Sequence, residues 1–104
     1  GEFDYIATGV SSKVISSNDK GKVYGFTSSG AINVTINSTS LTSIGDITYV
    51  DQMNTGEITF LFGSGVTLQY NSSRQAKTDG LYSRVAIHKT GAATYRIFGE
   101  LKPV

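Results

Sequence analysis

A chain of 104 residues is long enough for one domain with a core of its own and too short for two. It has no cysteine, which excludes disulfides and thiolate metal ligands, and no run nears the roughly 18 consecutive apolar residues of a membrane-spanning helix. Only 16% of residues are charged and the net charge is +1, which excludes a dense basic tract for nucleic acid.

Charge is uneven along the chain. Residues 1–70 hold three lysines against six acids, and residues 71–104 hold six basic side chains against two acids. Eleven Tyr and Phe spread over the whole length argue for an ordered core. Ser, Thr, Asn and Gly alternating with β-branched and aromatic residues argue for strands.

In chain order, 3–8 and 13–16 are weak strand candidates, within a lead-in segment covering 1–18, of which Gly1-Glu2-Phe3 can be read as a cloning remnant. A single domain spans 19–104. Its turn signal Ser17-Asn18-Asp19-Lys20-Gly21 precedes a strand over 22–28, and 31–37 places Ile32, Val34 and Ile36 on one face. Segment 46–52 directs Ile47 and Tyr49 to a common side. Further strands are expected at 57–62, 66–70, 81–89 and 94–101.

The pair Gly63 and Gly65 raises a phosphate cradle or a turn as alternatives. A cradle needs a following helix, which Val66-Thr67-Leu68 does not favour. A three-residue hairpin loop instead sets Phe62 opposite Val66, Phe60 opposite Leu68 and Ile58 opposite Tyr70, with Gly65 at the left-handed position. Ile47 and Tyr49 then match Phe62 and Phe60 in a three-strand meander. A terminal hairpin turning at Gly91 sets Val85 and Ile87 against Ile97 and Tyr95. The expectation is an all-β fold without significant helix, an antiparallel two-sheet sandwich or small jelly roll, whose corners are Gly63, Gly65 and Gly91.

The terminal hairpin turns Tyr82, Arg84, Ala86 and His88 outward on one strand, and Thr94, Arg96 and Phe98 on the other, with Ala86 facing Arg96. Tyr82, Arg84, His88 and Arg96 are the candidate ligand-binding residues, suited to an anion or a sugar. The alternative is that they are the ordinary polar outside of a strand. His88, the sole histidine, lacks a nucleophile in Gly-x-Ser-x-Gly context, so no catalytic residue is expected. One histidine and no cysteine give no metal site, and no cofactor is expected. Asp46, Asp51 and Glu57 read as strand-end acids rather than a glycosidase pair. Asn-x-Ser/Thr triplets begin at Asn33, Asn37 and Asn71 and fit alternating polar strand faces.

The stretches DKGKVYGFTSSGAINVTIN (19–37), TGEITFLFGSGVTL (55–68) and YSRVAIHKTGAATYRIFGEL (82–101) resemble a β-domain of tailed-bacteriophage virion proteins. The resemblance covers most of 19–101 and rests on strand patterns. It departs at Tyr95, where tryptophan is common, and at Asn37-Ser38, where a proline turn is common. It implies a non-enzymatic virion protein: a tail fibre or tail spike module for assembly or host-surface glycan attachment. A capsid-decorating protein or a stand-alone carbohydrate-binding module is the alternative. Implied partners are copies of the chain, with a trimer favoured, other virion proteins and a host glycan, with no nucleic acid and no membrane insertion. The resemblance supplies no site residues.

Overall fold

A computed structural model describes residues 4–104; Phe3, where the first strand was expected to begin, lies outside the described residues. Eleven strands follow in order: β1 (Asp4–Thr8), β2 (Ser12–Val14), β3 (Lys22–Phe26), β4 (Ile32–Ile36), β5 (Ile47–Gln52), β6 (Ile58–Phe62), β7 (Thr67–Gln69), β8 (Arg74–Thr78), β9 (Arg84–Lys89), β10 (Thr94–Gly99) and β11 (Leu101–Pro103). Among the described residues a single 3-10 turn, Ser17–Asp19, interrupts them. They form a six-stranded sheet, β1-β3-β5-β9-β10-β7, and a five-stranded sheet, β11-β8-β6-β4-β2. The all-β, two-sheet expectation holds.

Up to β9 every connection leads from one sheet to the other. A strand therefore meets a parallel neighbour only after the chain has visited the opposite sheet: β1, β3 and β5 are mutually parallel, as are β2, β4 and β6. A parallel pair always needs such a crossover, and here a strand replaces the usual helix. The sheets are mixed rather than purely antiparallel.

The core lies between them. Ile32, Val34 and Ile36 of β4 and Ile58 and Phe60 of β6 face Phe26, Val50, Val85, Ile87, Tyr95 and Ile97, all at most 2% exposed. Full burial of such a side chain contributes about 1.5–3 kcal/mol. Among the described residues no buried side-chain nitrogen or oxygen lacks a hydrogen-bond partner. The Tyr95 hydroxyl accepts from the Leu41 N–H at 3.0 Å and from the Lys89 Nζ at 3.2 Å, and the Lys89 ammonium also donates to the Ala92 carbonyl at 2.8 Å. This knot ties the 37–46 loop to the end of the terminal hairpin.

Three expectations are corrected. The meander does not form: β5 pairs with β3 and β9, β6 pairs with β4 and β8, and β7 lies in the other sheet from β6. At Gly63–Val66 the chain does turn, with the Val66 N–H donating to the Gly63 carbonyl and Gly65 at φ +81°, but the turn carries it between sheets. Phe62 consequently pairs with Ile36 and is 56% exposed. Ile47 and Tyr49 point outward, because Val50 is the residue in register with core-facing Tyr24 and Val85. A one-residue change of register moves a whole strand face. Finally, the terminal hairpin β9–β10 pairs two residues away from the expected register, with Arg96 opposite His88 and Phe98 opposite Ala86. That even shift preserves faces and changes neighbours.

Candidate ligand-binding face

Strand register builds the outer face of the six-stranded sheet as three rows. The central row crosses five strands as Tyr5, Val23, Tyr49, Ala86 and Phe98. On one side lie Gly25, Asp51 and Arg84, and on the other Ile47, His88, Arg96 and Gln69. The row alternates aromatic with small residues, so Val23 and Ala86 form a buried floor between rings. Tyr5 leans across Gly25, where a Cβ would sit only 1.9 Å from the tyrosine oxygen. Any side chain at 25 would displace that ring.

Arg84 is committed to a partner. Its Nε and Nη2 reach the two Asp51 carboxylate oxygens at 2.6 and 2.8 Å, and its guanidinium lies 5.8 Å from the Tyr49 ring centre. Donation to the Asp51 carboxylate raises the Arg84 pKa above its ordinary value despite partial burial, so the fork stays charged. Register explains the pairing: Asp51 stands directly opposite Arg84.

Arg96 is placed differently. It lies 5.0 Å over the Phe98 ring, and His88 meets the same ring edge-on at 6.3 Å. Among the described residues no carboxylate lies within ion-pair distance of Arg96. The expected diagonal of Arg84, Arg96 and His88 is thus split. Arg96 and His88 form a direct cross-strand pair, while Arg84 stands about 13 Å further along the strand, beyond the aromatic row. Tyr82 precedes β9 in a turn, 67% exposed, with φ +69°, the sole positive value of a described non-glycine residue. Its N–H donates to the Gln52 carbonyl at 2.7 Å. A bulky residue in that region carries strain of order 1 kcal/mol or more.

The acids considered for glycosidic chemistry are separated and ion-paired. Asp46 meets Lys20 at 3.3 Å, Asp51 meets Arg84, and Glu57 meets Lys102 at 3.0 Å. Backbone donation from Ser43 chiefly holds the Asp46 pKa below its ordinary value.

Sequence reasoning missed Tyr5, Tyr49 and Asp51 as face residues. No signal in the sequence places Asp51 against Arg84, because that pairing depends on β5 lying beside β9. No family model, curated protein or solved structure matches the chain. No helix among the described residues is long and apolar enough to cross a membrane.

Proposed function

We propose that the chain is a non-enzymatic attachment module of a phage tail fibre or spike, and that the outer face of its six-stranded sheet holds a host-surface glycan. The observation that carries the proposal is the row Tyr5–Tyr49–Phe98 with planar polar groups on both flanks. A sugar ring offers an apolar C–H face and an equatorial belt of hydroxyls. Rings spaced by small residues suit the first; the Asp51–Arg84 fork, His88 and Gln69 suit the second. A flat sheet face gives such contacts without enclosing the ligand, so each copy binds weakly and attachment draws on several copies together.

Assembly of copies belongs to the same reading. The Thr27 N–H donates to the Thr8 carbonyl, so the ladder with β3 uses the even residues of β1 and leaves the N–H and C=O of Tyr5 and Ala7 on a free edge. β1 carries no lysine, proline or bulge to guard that edge, whereas β11 contains Pro103 and β2 carries Lys13 turned toward Tyr24. Trimeric assembly through that edge is tested by light scattering of the purified chain over a concentration series. A strictly monomeric chain removes assembly from the proposal.

The glycan half is tested by array and cell binding. Arg84→Ala with Arg96→Ala, and separately Tyr49→Ala, are expected to lower binding to bacterial cells and glycans at least tenfold, while emptied heads are not bound. Signal unchanged in both variants sinks the face as the site, and preferential binding to heads replaces attachment with capsid decoration.

A further inference from the structure

A second feature lies where the two sheets meet at one edge. Parallel pairing of β7 with β10 ends at Gln69 and Arg96, so from Ile97 to Gly99 the outer edge of β10 has no strand beside it among the described residues. The chain leaves β7, crosses to the five-stranded sheet and enters β8 at Arg74. Between crossing and edge is a cleft of about 260 Å³, lined chiefly by Asn71, Arg74, Arg96, Phe98 and Gly99.

Its charged lining consists of two arginines, Arg74 and Arg96. Among the described residues neither the Arg74 nor the Arg96 guanidinium has a carboxylate within 4.0 Å. The Asn71 Oδ1 is occupied by the Ser73 N–H at 2.9 Å and the Ser73 hydroxyl at 2.7 Å, which leaves the Asn71 Nδ2 as a donor without a protein acceptor among the described residues. The nearest acid in sequence, Glu100, is drawn away: its Oε1 accepts from the Arg84 N–H at 3.0 Å. Gly99 keeps the wall close to β9, with φ +127° and room for no Cβ, which would lie 2.5 Å from the Arg84 carbonyl oxygen. The larger cavity, beside Leu41 and Ile44, differs in kind, because its lysine, Lys89, is already saturated by protein acceptors.

We propose that this cleft is an oxyanion site, taking the carboxylate, sulfate or phosphate of a small ligand between Arg74 and Arg96. Two arginines line one cleft without a carboxylate partner, and their planar N–H forks match oxyanion geometry. The volume admits about one sugar ring or a free phosphate and excludes a folded partner. Arg96 and Phe98 are shared with the sheet face, so an acidic sugar would end its chain here; the anion site itself stands on Arg74 and Asn71 and does not depend on the glycan reading.

The test is an NMR titration of the labelled intact chain with sodium glucuronate, inorganic phosphate, glucose and sodium chloride at matched ionic strength. Saturable shifts of the Asn71 and Gly99 amides with glucuronate or phosphate, absent with chloride and glucose, are expected. At least tenfold weakening by Arg74→Gln is expected as well. Tighter glucuronate binding assigns the anion to an acidic sugar, and tighter phosphate binding assigns it to a phosphate group. No saturable shift beyond the chloride control, or equal affinity in Arg74→Gln, overturns the site. Glucose-induced shifts at Tyr49 and Ala86 report the sheet face separately, so failure of one reading is distinguishable from failure of the other.

Discussion

Asp19 sits in the turn before β3 with 2% of its surface exposed, and each carboxylate oxygen has a donor. Oδ1 accepts the Tyr24 hydroxyl; Oδ2 accepts the Ser16 N–H at 2.8 Å and lies 3.3 Å from the Lys13 ammonium, which also stacks 4.2 Å from the Tyr24 ring centre. Burial pulls the Asp19 pKa upward, but the Tyr24, Ser16 and Lys13 contacts together outweigh it and hold it below the reference 3.8. Burial and the Asp19 carboxylate push the Tyr24 phenol from 10.0 up to about 12. Asp19→Ala is therefore expected to cost about 2–3 kcal/mol, because it strands a partly buried ammonium and a phenol. The signs follow from linkage. The Asp19 contribution is complete above pH 3.8 and is lost as pH falls through its lowered folded value. The Tyr24 contribution is complete below pH 10.0 and declines as pH rises toward about 12. Thermal melts across pH check both limbs, and Tyr24→Phe should remove the alkaline one. A variant as stable as the parent at pH 7 contradicts this account.

Among the elements, β4 and the β9–β10 pairing were legible in the sequence, because β4 alternates without exception and the hairpin partners are close in the chain. The hairpin loop was misjudged because a glycine was taken as its centre. The Thr90 N–H in fact donates to the Thr94 carbonyl, and Ala92 is the midpoint. β5 misled for a chemical reason. Its inward face contains Thr48 and Gln52 beside Val50, whereas its outward face carries Ile47 and Tyr49. Hydropathy alone chooses the wrong side. The inward polar groups are satisfied: the Thr48 hydroxyl donates to the Lys22 carbonyl at 2.9 Å, and Gln52 bonds to Thr78 across the sheets. Tyr49 is spared for the face. Val50→Ala should then lower stability by about 2 kcal/mol, and Ile47→Ser by less than about 1 kcal/mol, in urea unfolding. The reverse order would restore the hydropathy reading. Arg96 and His88 were legible as outward residues by alternation; Asp51 as the partner of Arg84 was not, because it depends on which strand lies beside β9.

At the scale of the whole molecule, the winding of the chain was hidden because its steps are unequal. Tyr5, Val23 and Tyr49 stack across one sheet, and Lys13, Val34 and Phe60 across the other, with differing lengths of chain between them, so no repeat period shows in the sequence. The same winding sets the order of folding. Among the described pairs, β9–β10 alone joins consecutive strands within one sheet; every other pair waits for the chain to return from the opposite sheet. Closing those loops costs entropy before any contact compensates it, which places refolding at about 1–100 s⁻¹, in the range of non-local β proteins. Tyrosine fluorescence can follow it, since the chain has six tyrosines and no tryptophan. The hairpin should form first, so Ile97→Ala slows refolding, while Val34→Ala, in the last coils to dock, mainly accelerates unfolding. Both side chains are at most 1% exposed, so each variant loses enough stability for the ratio of rate to equilibrium change to be read. If Val34→Ala instead carried the larger folding effect, the parallel coils would be the nucleus, and the local hairpin would only complete a sheet already wound.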